Sequence, residues 1–482
     1  AGVYSSAVVV MDSSLSQLTV DCLICIFSYL DEDDLLRASV VSKFWNEAAD
    51  TPWLWRQMCL RRWSFCNLSR LPAGMQTWKN YYLRRSKLEE KMEMGRASAD
   101  YTCKTLRGHT GAIVDMAYLV GNSSLSESWN SMSIVCSAST DGTVRAWNVQ
   151  EGSQLWSTPV QEPLRKIIVD QPSGVVISAD CRGTIKAWKG LTGEELAAFP
   201  ASSTACRLIN YSIKDQPFLT AGTAGGSLYT LASPTLSQVS HVVAFDTYKI
   251  DVLLASPDKQ WIVAATQDNY DLSPKVFSCE SLSCASEDET PVSEVLPVSG
   301  CLAACFFPSE AARVLILHTD GLRATTTVSI FDIKSKKTKY KTEVVAELVG
   351  TFQLDVGRWH SDILLEGRGS GTILTATQNQ LKVYNLQGAM LASFEDHMKP
   401  ISAICADSFR VVTASHDLSL RVLTWKKEKD KNLSLESRYH LLGGSHMYSR
   451  GFTNVACDYA SIVASVAAVN GKDVLKAYSF NA

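Results

Sequence analysis

The 482-residue sequence predicts a mainly β fold: a ring of small antiparallel sheets, preceded by a small all-α domain and a helical linker. Three observations predict it. From about residue 101 to the end, short β-rich segments alternate with turn residues, and one strand–turn–strand unit recurs. Ahead of that, apolar residues fall at helical spacings of three and four. Charge shifts with the pattern, because residues 12–50 carry eight acids against two bases and residues 56–92 carry nine bases against two acids.

Composition narrows the function classes. With 46% hydrophobic and 20% charged residues, the chain can bury a large core. Its 46 basic and 49 acidic residues leave a net charge of −3, so neither nucleic acid nor an acidic membrane is an expected partner. No apolar run approaches the roughly 18 residues that span a bilayer. The apolar stretch 7–11 lacks a basic start and is too short for a secretory segment. The chain opens on Ala; Met11 is the expected initiator, and residues 1–11 are an expected disordered N-terminus.

Fourteen cysteines in a chain this long fall well below the density of a disulfide scaffold. Cys22-x-x-Cys25 and Cys301-x-x-x-Cys305 are the two metal-like spacings, and no His or second Cys pair completes either. Small buried thiols in a reducing compartment are the expectation, which places the protein in the cytoplasm, the nucleus or both. No metal or cofactor is expected.

The acidic stretch reads as short helices. Cys22, Leu23, Ile26, Phe27 and Tyr29 form one apolar face, and Asp31-Glu-Asp-Asp34 is a loop and helix start. Such helices are too short to be stable alone, and their Leu-, Val- and Trp-rich faces ask for a partner. The run Leu18-Thr-Val-Asp-Cys-Leu-Ile-Cys-Ile-Phe-Ser-Tyr-Leu30, then Asp34-Leu-Leu36, Val40-Val-Ser-Lys-Phe-Trp45 and Leu54-Trp55, resembles an F-box over residues 12–58. That resemblance implies docking on the Skp-type adaptor of cullin–RING ubiquitin ligases, through Leu18, Leu23, Ile26, Phe27, Leu35, Leu36, Val40, Trp45, Leu54 and Trp55. These side chains are expected to be buried partly in their own core and partly against the adaptor. The family usually has Pro after the first Leu. Thr19 replaces it here and gives up a preset φ, which is expected to weaken docking.

Residues 59–98 read as a basic helical linker with acid–base pairs at helical spacing, a solvated face that also meets an acidic neighbour. It is similar to the connector between an F-box and a propeller in F-box/WD-repeat proteins.

Residues 99–482 hold the repeats. The clearest unit runs from Gly108-His109 through Val135-Cys-Ser-Ala-Ser-Thr-Asp-Gly-Thr-Val-Arg-Ala-Trp-Asn148 and looks like a WD repeat. Asp-Gly suits the tight turn between two strands. His109, Ser137, Asp141 and Trp147 would form a buried hydrogen-bond chain within one blade. A second unit keeps Ser178 and Trp188 but has Arg182 at the Asp position, so it is not expected to close the same way. A third keeps His397, Thr413 and Asp417, with Leu423 in place of Trp. The strand rhythm alone persists in 218–231, 256–277, 306–332, 373–385 and 452–478. That gives eight three-strand units, with 101–106 left over in front to complete the last blade. The expected fold is an eight-bladed WD-repeat β-propeller, with seven blades as the alternative; ring closure protects the edge strands.

His109, Ser137 and Asp141 are also the residue types of a nucleophilic triad, yet Ser137 lies mid-strand and not at a strained, substrate-facing turn. No nucleotide or metalloprotease motif appears, and the glycines at 108, 111 and 367–371 read as turns. The chain is therefore not expected to be an enzyme. Its resemblance to F-box/WD-repeat proteins implies a substrate receptor of an SCF-type ligase, with cullin and RING protein bound through the adaptor and an unknown target held by the propeller. The alternative is a non-catalytic scaffold with a degenerate F-box. Residues just before the turn Asp are natural rim positions for a target: Thr140, Gln267 and His416, with Asp115 in the first unit. They include no arginine cluster, so a phosphate-reading pocket is not expected.

Overall fold

Three side-chain caps start the helices of the front unit. Thr19, Asp31 and Ser42 accept from the backbone N–H of Cys22, Asp34 and Trp45, opening α1 (Val20–Phe27), α2 (Glu32–Ser39) and α3 (Lys43–Ala49). Pro52 begins α4 (Pro52–Arg62), where a missing N–H is harmless, and α5 (Trp78–Met94) follows. The computed structural model describes residues 18–120, 129, 131–284, 290–320, 325–337, 342–354, 363–427 and 433–480. The expected disordered stretch 1–11 lies outside the described residues.

Two compact units divide the chain: residues 1–90 with 123–131, and residues 91–122 with 132–482. In the helical unit, Leu23, Phe27, Leu35, Ala48, Leu54 and Trp55 are buried together. The Trp55 indole donates to Ala49 O at 2.8 Å, so even the largest side chain leaves no buried polar group unpaired.

Residues 59–98, read as a linker, divide between the two units after Glu90. The chain from α4 to Glu90 belongs to the helical unit, because aromatic packing ties α5 to α4. Trp55 and Tyr82 ring centroids are 5.7 Å apart, and Trp63 meets both Tyr81 and Tyr82. Arg62 pairs with Glu32 and Glu89, and Lys79 pairs with Asp50, so part of the basic excess answers acids of α2 and the α3–α4 junction. Trp129 also packs edge-on against Tyr81, at 5.4 Å.

The second unit is an eight-bladed propeller of four-stranded antiparallel sheets. Blade 1 contains β2 (Ile113–Tyr118), β3 (Ile134–Ser139), β4 (Val144–Asn148) and β5 (Ser153–Ser157). Blades 2 to 7 begin with innermost strands Leu164–Asp170, Ala205–Ile213, Val252–Ala255, Cys301–Phe306, Leu364–Arg368 and Ile401–Ala406. Blade 8 supplies Ser449–Cys457, Ser461–Ala468 and Val474–Ser479 and takes β1 (Thr102–Leu106) as its outer strand, with Thr102 opposite Ser479 and Leu106 opposite Leu475. Each innermost strand touches the next and the eighth touches the first, so the ring is closed. Seven blades draw a fourth, outer strand from their own chain, one more than the three-strand units of the sequence. Those outer strands are largely exposed, as in Glu195–Pro200 and Met390–Phe394, and so carry little apolar signal.

Candidate functional site

Inside blade 1, four side chains make one chain of donors. The Trp147 indole donates to Ser137 Oγ (2.9 Å), Ser137 Oγ lies 2.8 Å from His109 Nε2, and His109 Nδ1 lies 2.9 Å from Asp141 Oδ2. Because Asp141 can only accept, His109 carries its proton on Nδ1 and accepts the Ser137 hydroxyl at Nε2. Burial pushes the Asp141 carboxyl up, but hydrogen bonds from His109, Thr143 and the Thr110 N–H outweigh it and hold the group well below the usual carboxylate range. Gly142 closes the turn at φ +81°, where a Cβ would strike the Gln161 carbonyl. With Ser137 fully buried and its hydroxyl aimed at His109 and Trp147, the constellation is a strut.

Blade 7 repeats the device without the tryptophan: His397 reaches Thr413 at 2.8 Å and Asp417 at 3.1 Å. Burial lowers the His397 pKa, which keeps the ring neutral. In blade 2, Trp188 donates to Ser178 at 2.9 Å. Arg182 does not leave that turn open, because Asp180, two residues earlier, accepts from the N–H of Arg182 and Thr184. Blade 3 replaces the set with Tyr211, Thr220 and Thr230, linked hydroxyl to hydroxyl.

The ten expected adaptor contacts separate by burial. Leu23, Phe27, Leu35, Leu54 and Trp55 are each 2% exposed or less, so they form the core of the helical unit and are not available to another chain. Leu18, Leu36 and Trp45 are half-buried, Trp45 lying edge-on to Phe27 at 5.4 Å. Ile26 (49%) and Val40 (82%) are exposed. Sequence reasoning left out Tyr29, Val41, Phe44 and Trp53, which are exposed too. Periodicity marks a residue as apolar but does not say which side of a small helix its neighbours cover. Thr19 has φ −78°, within the range a proline would impose, and its hydroxyl caps α1. The helix entrance is thus held without proline.

At the propeller, second-to-third-strand turns all fall at one end of the ring. Thr140, Gln267 and His416 occupy three of them and are exposed. Asp115 is not a rim residue, and that expectation is corrected. It is buried, pairs with Lys166 at 2.8 Å and accepts from the Ile167 N–H, latching blade 1 to blade 2. The same end carries cations the turn positions did not reveal. Arg165 and Arg207, at the start of the innermost strands of blades 2 and 3, and Lys249 ahead of blade 4 surround Cys206. Burial raises the Cys206 thiol pKa, and these cations pull it back. Lys249 is neutralised by Asp251 at 2.7 Å, whereas Arg165 makes no ion pair among the described residues. Their signal was present as basic residues opening two strands, in a position only the ring identifies as a mouth.

Among the described residues no His, Cys, Asp and Glu group has the makings of a metal site, and no helix is long and apolar enough to cross a membrane.

A helical unit of this kind ahead of a propeller defines an F-box protein with WD repeats. The F-box-like family model matches residues 18–61, and the WD domain, G-beta repeat model matches residues 101–148. The chain belongs to the F-box/WD repeat-containing protein family, whose members are typically non-catalytic adaptors, and this supports a substrate-recognition role. It is 34% identical to F-box/WD repeat-containing protein 12 of Homo sapiens over 95% of this chain and 97% of that protein. It is 27% identical to F-box/WD repeat-containing protein 15 of Mus musculus over 95% and 97%. The fold is also similar to the crystal structure of the computationally designed Ika8 protein (TM-score 0.55, 18% identity, 77% of this chain and 98% of that one).

Proposed function

We propose that this chain is the substrate-recognition subunit of an SCF-type ubiquitin ligase. Its helical unit docks on a Skp-type adaptor, which joins it to cullin and RING protein, and its propeller holds a target protein for ubiquitination in the cytoplasm, the nucleus or both. The mechanism is positional: tethering the target raises its effective concentration at the ubiquitin-charged enzyme, and this chain makes no covalent bond. One observation carries the reading. α1 to α3 and their connections leave Ile26, Tyr29, Val40, Val41 and Phe44 exposed although the unit's own core is closed. Large apolar side chains left in water beside a finished core are what a protein interface needs. The capped entrance at Thr19 argues against a decayed F-box.

The test is affinity purification of the full chain beside a Val40→Asp/Val41→Asp double variant. Adaptor and cullin are expected with the wild type and lost with the variant, while its melting curve is unchanged, because both positions are exposed. Wild type that recovers neither protein, or a variant that recovers both, overturns the reading.

A further inference from the structure

The seam between blades 7 and 8 holds a cavity of about 610 Å³ that the preceding sites do not use. It lies among the 443–449 connection joining the two blades, the turn at 469–472 and Arg107, just beyond β1. Strand polarity puts all three at the end of the ring that also carries Thr140 and His416. A volume of that order takes a few residues of extended peptide and not a folded element.

Its wall is one-signed. Arg107, Lys472 and Lys476 contribute three cations, and no Asp or Glu lines it. Lys476 is anchored by donating to Thr105 Oγ1 at 2.7 Å. Arg107 and Lys472 are exposed and make no ion pair among the described residues. Three cations converging on one concavity repel each other, and an anion placed there relieves that repulsion while meeting each at short range. Ser445, Ser449 and Asn470 add neutral polar groups to the wall, and three large apolar side chains stand open in it: Met447 is 73% exposed, Tyr448 70% and Val469 49%. A thioether adapts to varied shapes, and a tyrosine supplies a rigid anchor. Inorganic phosphate would use the cations alone and leave these three side chains idle, and a base stacked on Tyr448 would still leave Met447 and Val469 unused.

We infer that this cavity is a docking site for an acidic peptide segment of the target protein, one that carries an aliphatic side chain among its carboxylates. The carboxylates meet Arg107 and Lys472, and the aliphatic side chain packs on Met447, Tyr448 and Val469. The inference rests on the substrate-recognition reading above and adds a chemical class to it.

The experiment is fluorescence anisotropy of the full chain with a fluorescein-labelled pentapeptide, Asp-Glu-Leu-Asp-Glu. Saturable binding is expected, weakened about tenfold or more by Lys472→Glu or Arg107→Glu. Met447→Ser with Tyr448→Ser, a Leu→Ser peptide, and the neutral Asn-Gln-Leu-Asn-Gln peptide are each expected to weaken it as much. Absent binding, equal affinity in these variants or peptides, or displacement by an oligonucleotide at comparable concentration overturns the inference. Adaptor recovery is measured on the same preparations. A wild type that recovers adaptor but binds no peptide sinks this inference alone, whereas a wild type that recovers no adaptor sinks the ligase reading.

Discussion

In the propeller, Trp147 and Trp188 are 1–2% exposed and each indole N–H rests on a serine hydroxyl of its own blade. In the helical unit, Trp55 is buried and its indole donates to the Ala49 carbonyl, but Trp53, two residues earlier, is 49% exposed. The propeller turns these two tryptophans inward and closes its ring through β1. The helices are too short to cover what they carry, so apolar surface remains outside. The ring satisfies its strand pairing by closing on itself, whereas a small helical unit with leftover apolar surface is suited to a partner chain.

That contrast can be broken at its strongest points first. Trp55→Ala removes the largest buried side chain of the helical unit and should cost about 3–5 kcal/mol. Calorimetry should show the helical transition lost and the propeller transition in place; a joint loss would mean the two units fold as one.

The next effect is inside blade 1. Asp141→Ala strips His109 of its acceptor in a buried site and should cost the propeller about 2–3 kcal/mol. The same network predicts acid sensitivity. Asp141 and Asp417 are held below the ordinary carboxylate range and His397 is lowered by burial, so all three bind fewer protons folded than unfolded. Their stabilisation is fully present above the unfolded pKa values and is lost as pH falls, first below about 6.5 for His397 and then below about 4 for the carboxylates. Melting curves between pH 7.5 and about 3.5 check it. Asp141→Asn should flatten the lowest part, and an unchanged slope would deny the network its role.

The smallest effect sharpens the helical side. Thr19→Ala removes the α1 cap and should cost about 1 kcal/mol. If it costs nothing, the hydroxyl does not replace the missing proline, and adaptor recovery by this variant becomes the deciding measurement.

Much of this was legible in order. The Asp-Gly turn, the serine ten residues before each tryptophan and the spare strand at 101–106 are local signals, and each has its expected place. Asp115, a lone acid near a strand start, looks like a rim residue in the sequence, and only the ring shows Ile167 of the next blade lying against it. Arg165 and Arg207 carry no rim signal in the sequence because neither lies at a turn, and only the ring brings them around Cys206. The outer strands gave no signal, since a solvated edge strand needs no apolar periodicity.

What the sequence determined by itself is whatever depends on neighbours close along the chain: caps, tight turns, helical faces, the strand repeat and the family they imply. Tertiary structure decided which apolar side chains of the helices were used up inside and which were left for a partner. It also decided which charges of distant blades converge on one cavity. Both depend on distances between residues hundreds of positions apart, and chain closure, not local spacing, sets those distances.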